Sequence, residues 1–295
     1  MTGAAFRATV PGSTANLGPG FDALGLALAL HDVVELEVTD GGLKVEVTDA
    51  GAGGVADVPT DERHLVVRAI RRACERLDVR PPGLHLRCYN KIPHARGLGS
   101  SAAAVVSGIA LGYAIAGVPL DDEALQLAAG FEGHADNAAA SLFGGLVVAW
   151  CDDGRFHAER VEPNAGIRPV VAIPALTSST HATRGLLPLH VPHSDAAHSA
   201  GRTALTVLAM TQKPSLLLAA TEDRLHQEYR SGAYPASSEL VRALRARSIP
   251  ATISGAGPTV LALTETGILP SDVDVAGFEV RELGLDLAGV QVAAQ

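Results

Sequence analysis

The spacing of hydrophobic and polar positions changes character several times along the chain. Phe6 to Pro11 reads as a strand, followed by a Gly/Pro/Asn-rich loop over 12–20. Val33 to Val38 and Leu43 to Val47 are two further strand-like runs, and Asp40-Gly41-Gly42 between them predicts a hairpin. Residues 48–59 read as a loop. From His64 to Leu77 the apolar positions Leu65, Val66, Ala69, Ile70, Ala73 and Leu77 form a helical stripe with Arg68, Arg71 and Arg72 on the other face. Leu84, Leu86 and Cys88 then alternate with His85, Arg87 and Tyr89, the pattern of a half-buried strand.

Pro93 to Ala104 is a glycine-rich turn feeding a helix of small residues, and Asp121 to Gly130 is a second helix with acidic residues in its first turn. Gly144-Gly145 precedes a strand from Leu146 to Trp150. Turn residues over 152–168 mark a boundary, after which Val170 to Ile173 opens a second set of elements. Helical patterns run over Thr203 to Met210, Leu216 to Arg230 and Ser238 to Arg247, with strands at Thr252 to Ser254, Thr259 to Leu263 and Val290 to Val292. The chain therefore reads as α+β in two domains, 1–155 and 156–295. Ala102 to Leu120 is uncharged and about as long as a bilayer span. Its Ser107, three glycines and Pro119 fit a buried helix of a large domain instead.

Composition narrows the class of function. The 295 residues are 47% hydrophobic and 19% charged, with aromatics at 4%, so the core rests on aliphatic side chains. A net charge of −9 without a long Lys/Arg block excludes a surface that tracks nucleic-acid phosphates. An anion must be bound locally, by backbone N–H groups, a metal or a few arginines. Cys74, Cys88 and Cys151 are few, odd in number and far apart, which fits a reducing cytoplasm. The N-terminus has no long apolar run after a basic start, so no signal peptide is expected.

The most informative segment is Pro93-His94-Ala95-Arg96-Gly97-Leu98-Gly99-Ser100-Ser101-Ala102-Ala103. Its two glycines let a ligand approach the main chain, and its two hydroxyls stand at a helix start whose N–H groups are unpaired. Together these make a phosphate cradle, although neither the Gly-x4-Gly-Lys-Ser/Thr loop nor the dinucleotide Gly-x-Gly-x-x-Gly is present. The bland reading is a strand-to-helix turn without a ligand.

This run resembles the ATP-binding signature of the superfamily named for galactokinase, homoserine kinase, mevalonate kinase and phosphomevalonate kinase, the GHMP kinases. Pro11-Gly12-Ser13-Thr14-Ala15-Asn16-Leu17-Gly18-Pro19-Gly20-Phe21-Asp22 is similar to the N-terminal signature of its homoserine kinase branch. Ser254-Gly255-Ala256-Gly257-Pro258-Thr259 resembles the third glycine motif, in the family's order. The resemblance implies an N-terminal domain like the second domain of ribosomal protein S5 and a C-terminal ferredoxin-like domain. It also implies ATP and Mg²⁺, with L-homoserine as the acceptor.

The same resemblance implies the site residues. Ser100 and Glu132 would hold Mg²⁺, and Asp136 and Asn137 would face the substrate. Homoserine is a zwitterion, so its pocket needs an anion for the ammonium and a guanidinium for the carboxylate. Asp22 and Asn16 suit the first; Arg184, from Thr180-His181-Ala182-Thr183-Arg184, and Arg230 suit the second, with Gly257 contributing from the third motif. Both arginines as exposed helix side chains is the alternative. His198 stands where the family pattern calls for Asn. His190, His193 and His198 read as incidental rather than as metal ligands. Asp136 is the positional candidate for a general base, while metal and helix-dipole stabilisation would carry most of the catalysis. A cytoplasmic homodimer is expected. A kinase of the superfamily acting on a sugar or a mevalonate-type acid, and a non-catalytic nucleotide-binding module, are the other readings.

Overall fold

The computed structural model describes residues 2–178 and 180–295, without the side chains of Thr180 and His181. The described residues form two sheets flanked by helices. The first sheet contains β1 (Ala5–Ala15), β2 (Leu24–Thr39), β3 (Gly42–Asp49), β4 (Gly83–Asn90), β5 (Leu146–Asp152), β6 (Arg155–Val161) and β11 (Gln291–Ala294). Its main path is β11-β1-β2-β4-β3, and β5 pairs with the start of β2 and with β6. The second sheet holds β7 (Arg168–Pro174), β8 (Ala251–Ile253), β9 (Val260–Thr264) and β10 (Phe278–Glu282) in the order β10-β7-β9-β8. Counted along this half of the chain, that is the antiparallel 4-1-3-2 order of a ferredoxin-like sheet.

The hairpin expected at Asp40-Gly41-Gly42 does not pair. The chain turns there, but β4 lies between β2 and β3, antiparallel to the first and parallel to the second. The reason is in the side chains. Leu84, Leu86 and Cys88 of β4 are all buried, whereas β3 buries Val45 alone and exposes Lys44 and Glu46 as a charged edge. Strand pairing also runs past residue 155: β6 continues the first sheet, and β11 returns to pair antiparallel with β1.

Helices α1 (Leu65–Arg76), α2 (Ser100–Ala116), α3 (Asp122–Ala129) and α4 (Asp136–Phe143) pack with the first sheet. The apolar stripe of α1 buries Val66, Ala69, Ile70 and Ala73 as its period requires. Most of α2 is buried between α1, α3, α4 and β1, which explains its lack of charge. No described helix is long and apolar enough to cross a membrane. Asp121 caps α3 by accepting from Glu123 N–H at 3.0 Å.

The second half adds α5 (Thr180–Arg184), α6 (His193–Thr211), α7 (Leu217–Ala220), α8 (Gln227–Arg230) and α9 (Pro235–Ala246). The single helix expected over Leu216 to Arg230 is broken between α7 and α8. The Asp223 carboxylate accepts from the N–H groups of Leu225, His226 and Gln227 at 2.8, 3.1 and 2.8 Å. A side chain that satisfies three backbone donors competes with helix continuation and starts a new turn instead.

Candidate active site

The three glycine-containing motifs, far apart in sequence, meet at one point. Ser13 N–H donates to Leu98 O at 3.1 Å, and Gly255 N–H donates to Ala15 O at 3.1 Å. Ser254 Oγ donates to Gly97 O at 2.5 Å and lies 2.8 Å from Thr14 Oγ1. Gly97 and Gly99 have φ of 75° and 70°, the left-handed region. A Cβ on Gly97 would meet the Ser254 carbonyl oxygen, and one on Gly99 would meet Ser13 Oγ. The glycines therefore serve close packing of the three motifs as well as approach by a ligand.

This junction borders a cleft of about 550 Å³. Of the expected residues, Asn16, Asp22, Ala95, Gly97, Gly99, Ser100, Ser101, Glu132, Asp136, Asn137, Arg184 and Arg230 line it. The rest of the glycine-rich run has other places. Leu98, Ala102 and Ala103 are in the core, Pro93 is buried, and His94 borders a neighbouring cavity. Arg96 turns toward the second sheet, donating to Pro174 O and Ala175 O, both at 3.1 Å. Gly257 packs against the Tyr234 ring and does not line the cleft. The Thr180 side chain lies outside the described residues.

Helix α2 starts at Ser100 with no side chain capping it, so its first N–H groups and its positive dipole end face the cleft. Glu132 enters from the loop before α4 and is hydrogen bonded to the Ser101 hydroxyl. Burial raises the Glu132 pKa against the opposing pull of His134 and Ser101. The chain after Glu132 runs into α4, with Asp136 as its first residue. Asp136 is 1% exposed and accepts from His134 Nδ1 at 2.7 Å and from Asn137 N–H at 2.7 Å. Desolvation works against a charged His134, but the Asp136 hydrogen bond and charge, with Glu132 and Asp22, outweigh it and raise its pKa. Asn137 Oδ1 accepts from Ser13 Oγ at 2.9 Å.

Hard oxygen donors dominate the cleft: two hydroxyls at Ser100 and Ser101, and carboxylates at Glu132, Asp136 and Asp22. That donor set fits a divalent cation such as Mg²⁺. Among the described residues, Asp22, His134 and Asp136 also bring ligand atoms within 4.8 Å of one another. His190, His193 and His198 take no part in that group.

In the same cleft Arg184 binds Asp22 in two parallel bonds, Nη1 to Oδ2 at 2.8 Å and Nη2 to Oδ1 at 2.7 Å. Asn16 Oδ1 accepts from Asp22 N–H at 3.1 Å, and its Nδ2 donates to Gly255 O at 3.0 Å. Arg230 is 1% exposed, not the surface side chain of the alternative reading. Its Nε donates to Thr183 O at 3.2 Å. Arg184 and Arg230 both lie against the Phe21 ring, at 5.1 and 5.3 Å from its centroid. Buried His226 donates from Nε2 to Gly18 O at 2.7 Å, and burial lowers its pKa, so it is a neutral ring beside Arg230.

Sequence reasoning missed His134, Phe21 and His226. His134 lies between Glu132 and Asp136 in the sequence, and its place between two carboxylates was the available signal. Also missed was a second cavity of about 220 Å³ on the far side of Ser100 and Ser101, walled by Val58, Pro59, Leu65 and Val66. His64 Nδ1 and Asn90 Oδ1, both bordering it, are buried without a hydrogen-bond partner. Apolar walls with unpartnered polar atoms are the features of a site for a flat heteroaromatic base.

Comparisons with known proteins agree with this geometry. Residues 64–145 match the GHMP kinases N terminal domain. The chain is 50% identical to a homoserine kinase of Streptomyces coelicolor, over 99% of this chain and 97% of that protein. It is 50% identical to a homoserine kinase of Corynebacterium urealyticum, over 94% and 93% of the two chains. A crystal structure of homoserine kinase from Cytophaga hutchinsonii superposes with a TM-score of 0.83 at 25% identity, covering 98% of this chain and 97% of the other. With half of its residues shared over essentially the whole length, and with the two-domain α+β fold in common, the chain belongs to the homoserine kinase family of the GHMP kinases.

Proposed function

We propose that this protein transfers the γ-phosphoryl group of ATP to the side-chain hydroxyl of L-homoserine, giving O-phospho-L-homoserine and ADP. The observation that carries the reading is one cleft lined by two chemically distinct sets of groups. One set is the start of α2 with the oxygen donors Ser100 and Glu132; the other is Asp22 with Arg184 and Arg230. The first suits a triphosphate with its cation, and the second suits a small zwitterion. A sugar or a mevalonate-type acid would leave the Asp22 charge without an ammonium.

In this reading Ser100 and Glu132 hold Mg²⁺, which supplies charge neutralisation at the phosphates. The N–H groups at the start of α2 and the 95–99 turn receive the phosphate oxygens. The adjacent 220 Å³ cavity takes the purine base, with Asn90 Oδ1 and His64 Nδ1 as partners for its edge. Asp22 receives the acceptor ammonium, Arg184 and Arg230 receive its carboxylate, and Asp136 and Asn137 lie nearest the hydroxyl. As the hydroxyl oxygen bonds to the γ-phosphorus, the bond from that phosphorus to the bridging oxygen of ADP breaks, and the hydroxyl proton passes to the Asp136 carboxylate. His134 holds the Asp136 carboxylate in place through the 2.7 Å bond.

The test is steady-state kinetics with each co-substrate varied in turn. Arg184→Ala should raise KM for homoserine by about 10- to 100-fold, the worth of a charged hydrogen-bonded pair, and leave KM for ATP near its wild-type value. An unchanged homoserine KM would remove Arg184 from the acceptor site.

A further inference from the structure

We propose that the Asp22–Arg184 ion pair is an internal substitute for the acceptor's own charges, and that it makes the acceptor site respond to ammonium and carboxylate together rather than one at a time. The inference rests on the zwitterionic acceptor proposed above and goes beyond it: each charged residue acts as the gate for the other's ligand.

The two residues that a zwitterion would use are bonded to one another, with both Asp22 oxygens occupied. Their side chains are 40% and 32% exposed, for Arg184 and Asp22, so the pair is open to exchange from the cleft. Asp22 cannot follow a departing partner. Its backbone sits at φ 56°, its N–H is held by Asn16 Oδ1, and Asn16 is held in turn by Gly255 O. Arg184 ends the five-residue helix α5 and is the more exposed of the two side chains, so in this proposal it is the partner that moves. Arg230 cannot replace it. Its guanidinium is buried against Thr183 O, His226 and Phe21, and among the described residues it meets no carboxylate within ion-pair distance.

Charge accounting then separates ligand classes. A zwitterion exchanges one internal ion pair for two, ammonium to Asp22 and carboxylate to Arg184 with Arg230. A ligand with the carboxylate alone must draw Arg184 away and leave the Asp22 carboxylate close to that of Asp136, with the His134 ring beside them in place of the two-bonded guanidinium. A ligand with the ammonium alone must displace Arg184 and leave it beside Arg230, two cations against one ring. Each single-charge ligand therefore loses a contact and also strands a charge.

The experiment compares homoserine, 4-hydroxybutyrate (no ammonium) and 3-aminopropan-1-ol (no carboxylate) as acceptors for wild type, Asp22→Asn and Arg184→Gln. ADP release and direct calorimetric binding are both read, with thermal melts confirming folding. In wild type both analogues should fall at least about 100-fold below homoserine in kcat/KM. In Asp22→Asn the released Arg184 should raise 4-hydroxybutyrate binding several-fold above its wild-type level while homoserine binding falls. Arg184→Gln should do the same for 3-aminopropan-1-ol, so either variant suffices if the other does not fold. If 4-hydroxybutyrate binding stays level or falls with homoserine in Asp22→Asn, the two residues are independent subsites and the gate is wrong. If wild type turns over no homoserine, the acceptor assignment itself fails and the gate with it; wild-type turnover with level analogue binding overturns the gate alone.

Discussion

Gly99 is the residue at which sequence, packing and chemistry converge most tightly. Its φ of 70° costs an L-residue about 1–2 kcal/mol, and any Cβ there meets Ser13. Gly99→Val should therefore lower both the melting temperature and the turnover, while Ser100→Ala should lower turnover with little change in melting. Losing one preorganised group at the transferring phosphoryl costs about 10²–10³ in kcat. Full turnover in folded Ser100→Ala would place the phosphates elsewhere. Glu132→Gln should weaken activation by Mg²⁺, read as a higher cation concentration at half-maximal rate. At this scale the glycine and serine positions were readable because backbone demands restrict residue choice. The role of His226 was not, since its partner Gly18 is brought beside it only by folding.

Among the elements, the lead-in to the glycine-rich turn depends on Asp32 in β2, whose Oδ1 accepts from the N–H groups of Lys91 and Ile92 at 2.6 and 2.8 Å. Burial raises its pKa from 3.8 to about 6, against the lowering effect of those two bonds and of His31. The folded chain thus keeps this proton over a window in which the unfolded chain has lost it. The contribution of Asp32 to stability is most favourable below about pH 4, declines as pH rises to about 6, and is flat above. Asp32→Asn retains the accepting oxygen and removes the titration. The stability difference between variant and wild type should grow across that window by on the order of 3 kcal/mol. Denaturant melts at several pH values give it, and a pH-independent difference would contradict the burial argument. Periodicity located α1, β4 and α9 because each has one apolar face and one wet face. It failed where a single side chain overrides pattern, as Asp223 does between α7 and α8, and where strands have no fully buried residue, as in β6 and β10. Pairing partners were beyond it too: a tight turn predicts adjacency, but burial of β4 decided which strand sits beside β2.

At the largest scale, strands distant in sequence complete the first sheet. β11 pairs with β1, the strand that runs into the Pro11–Asp22 motif, and Val290 just before it is 6% exposed. Deleting residues 290–295 should strip the β1 edge and uncover that core position. A loss of about 2 kcal/mol would lower the melting temperature by roughly 4–8 °C. An unchanged melt would show that this strand is dispensable. The motif order along the chain carried the family, and with it the fold, yet no spacing in the sequence showed that Ser254 meets both Thr14 and Gly97. That contact arises from the second sheet docking on the first. The central claim is phosphoryl transfer to homoserine, and ADP release with Mg²⁺-ATP over a panel of acceptors tests it most directly. The account predicts that homoserine far outruns galactose, mevalonate and serine, whose hydroxyl is one methylene short, and that ³¹P NMR finds a phosphate monoester on the homoserine hydroxyl. Preference for a sugar or for mevalonate, or no homoserine-dependent ADP, would contradict it.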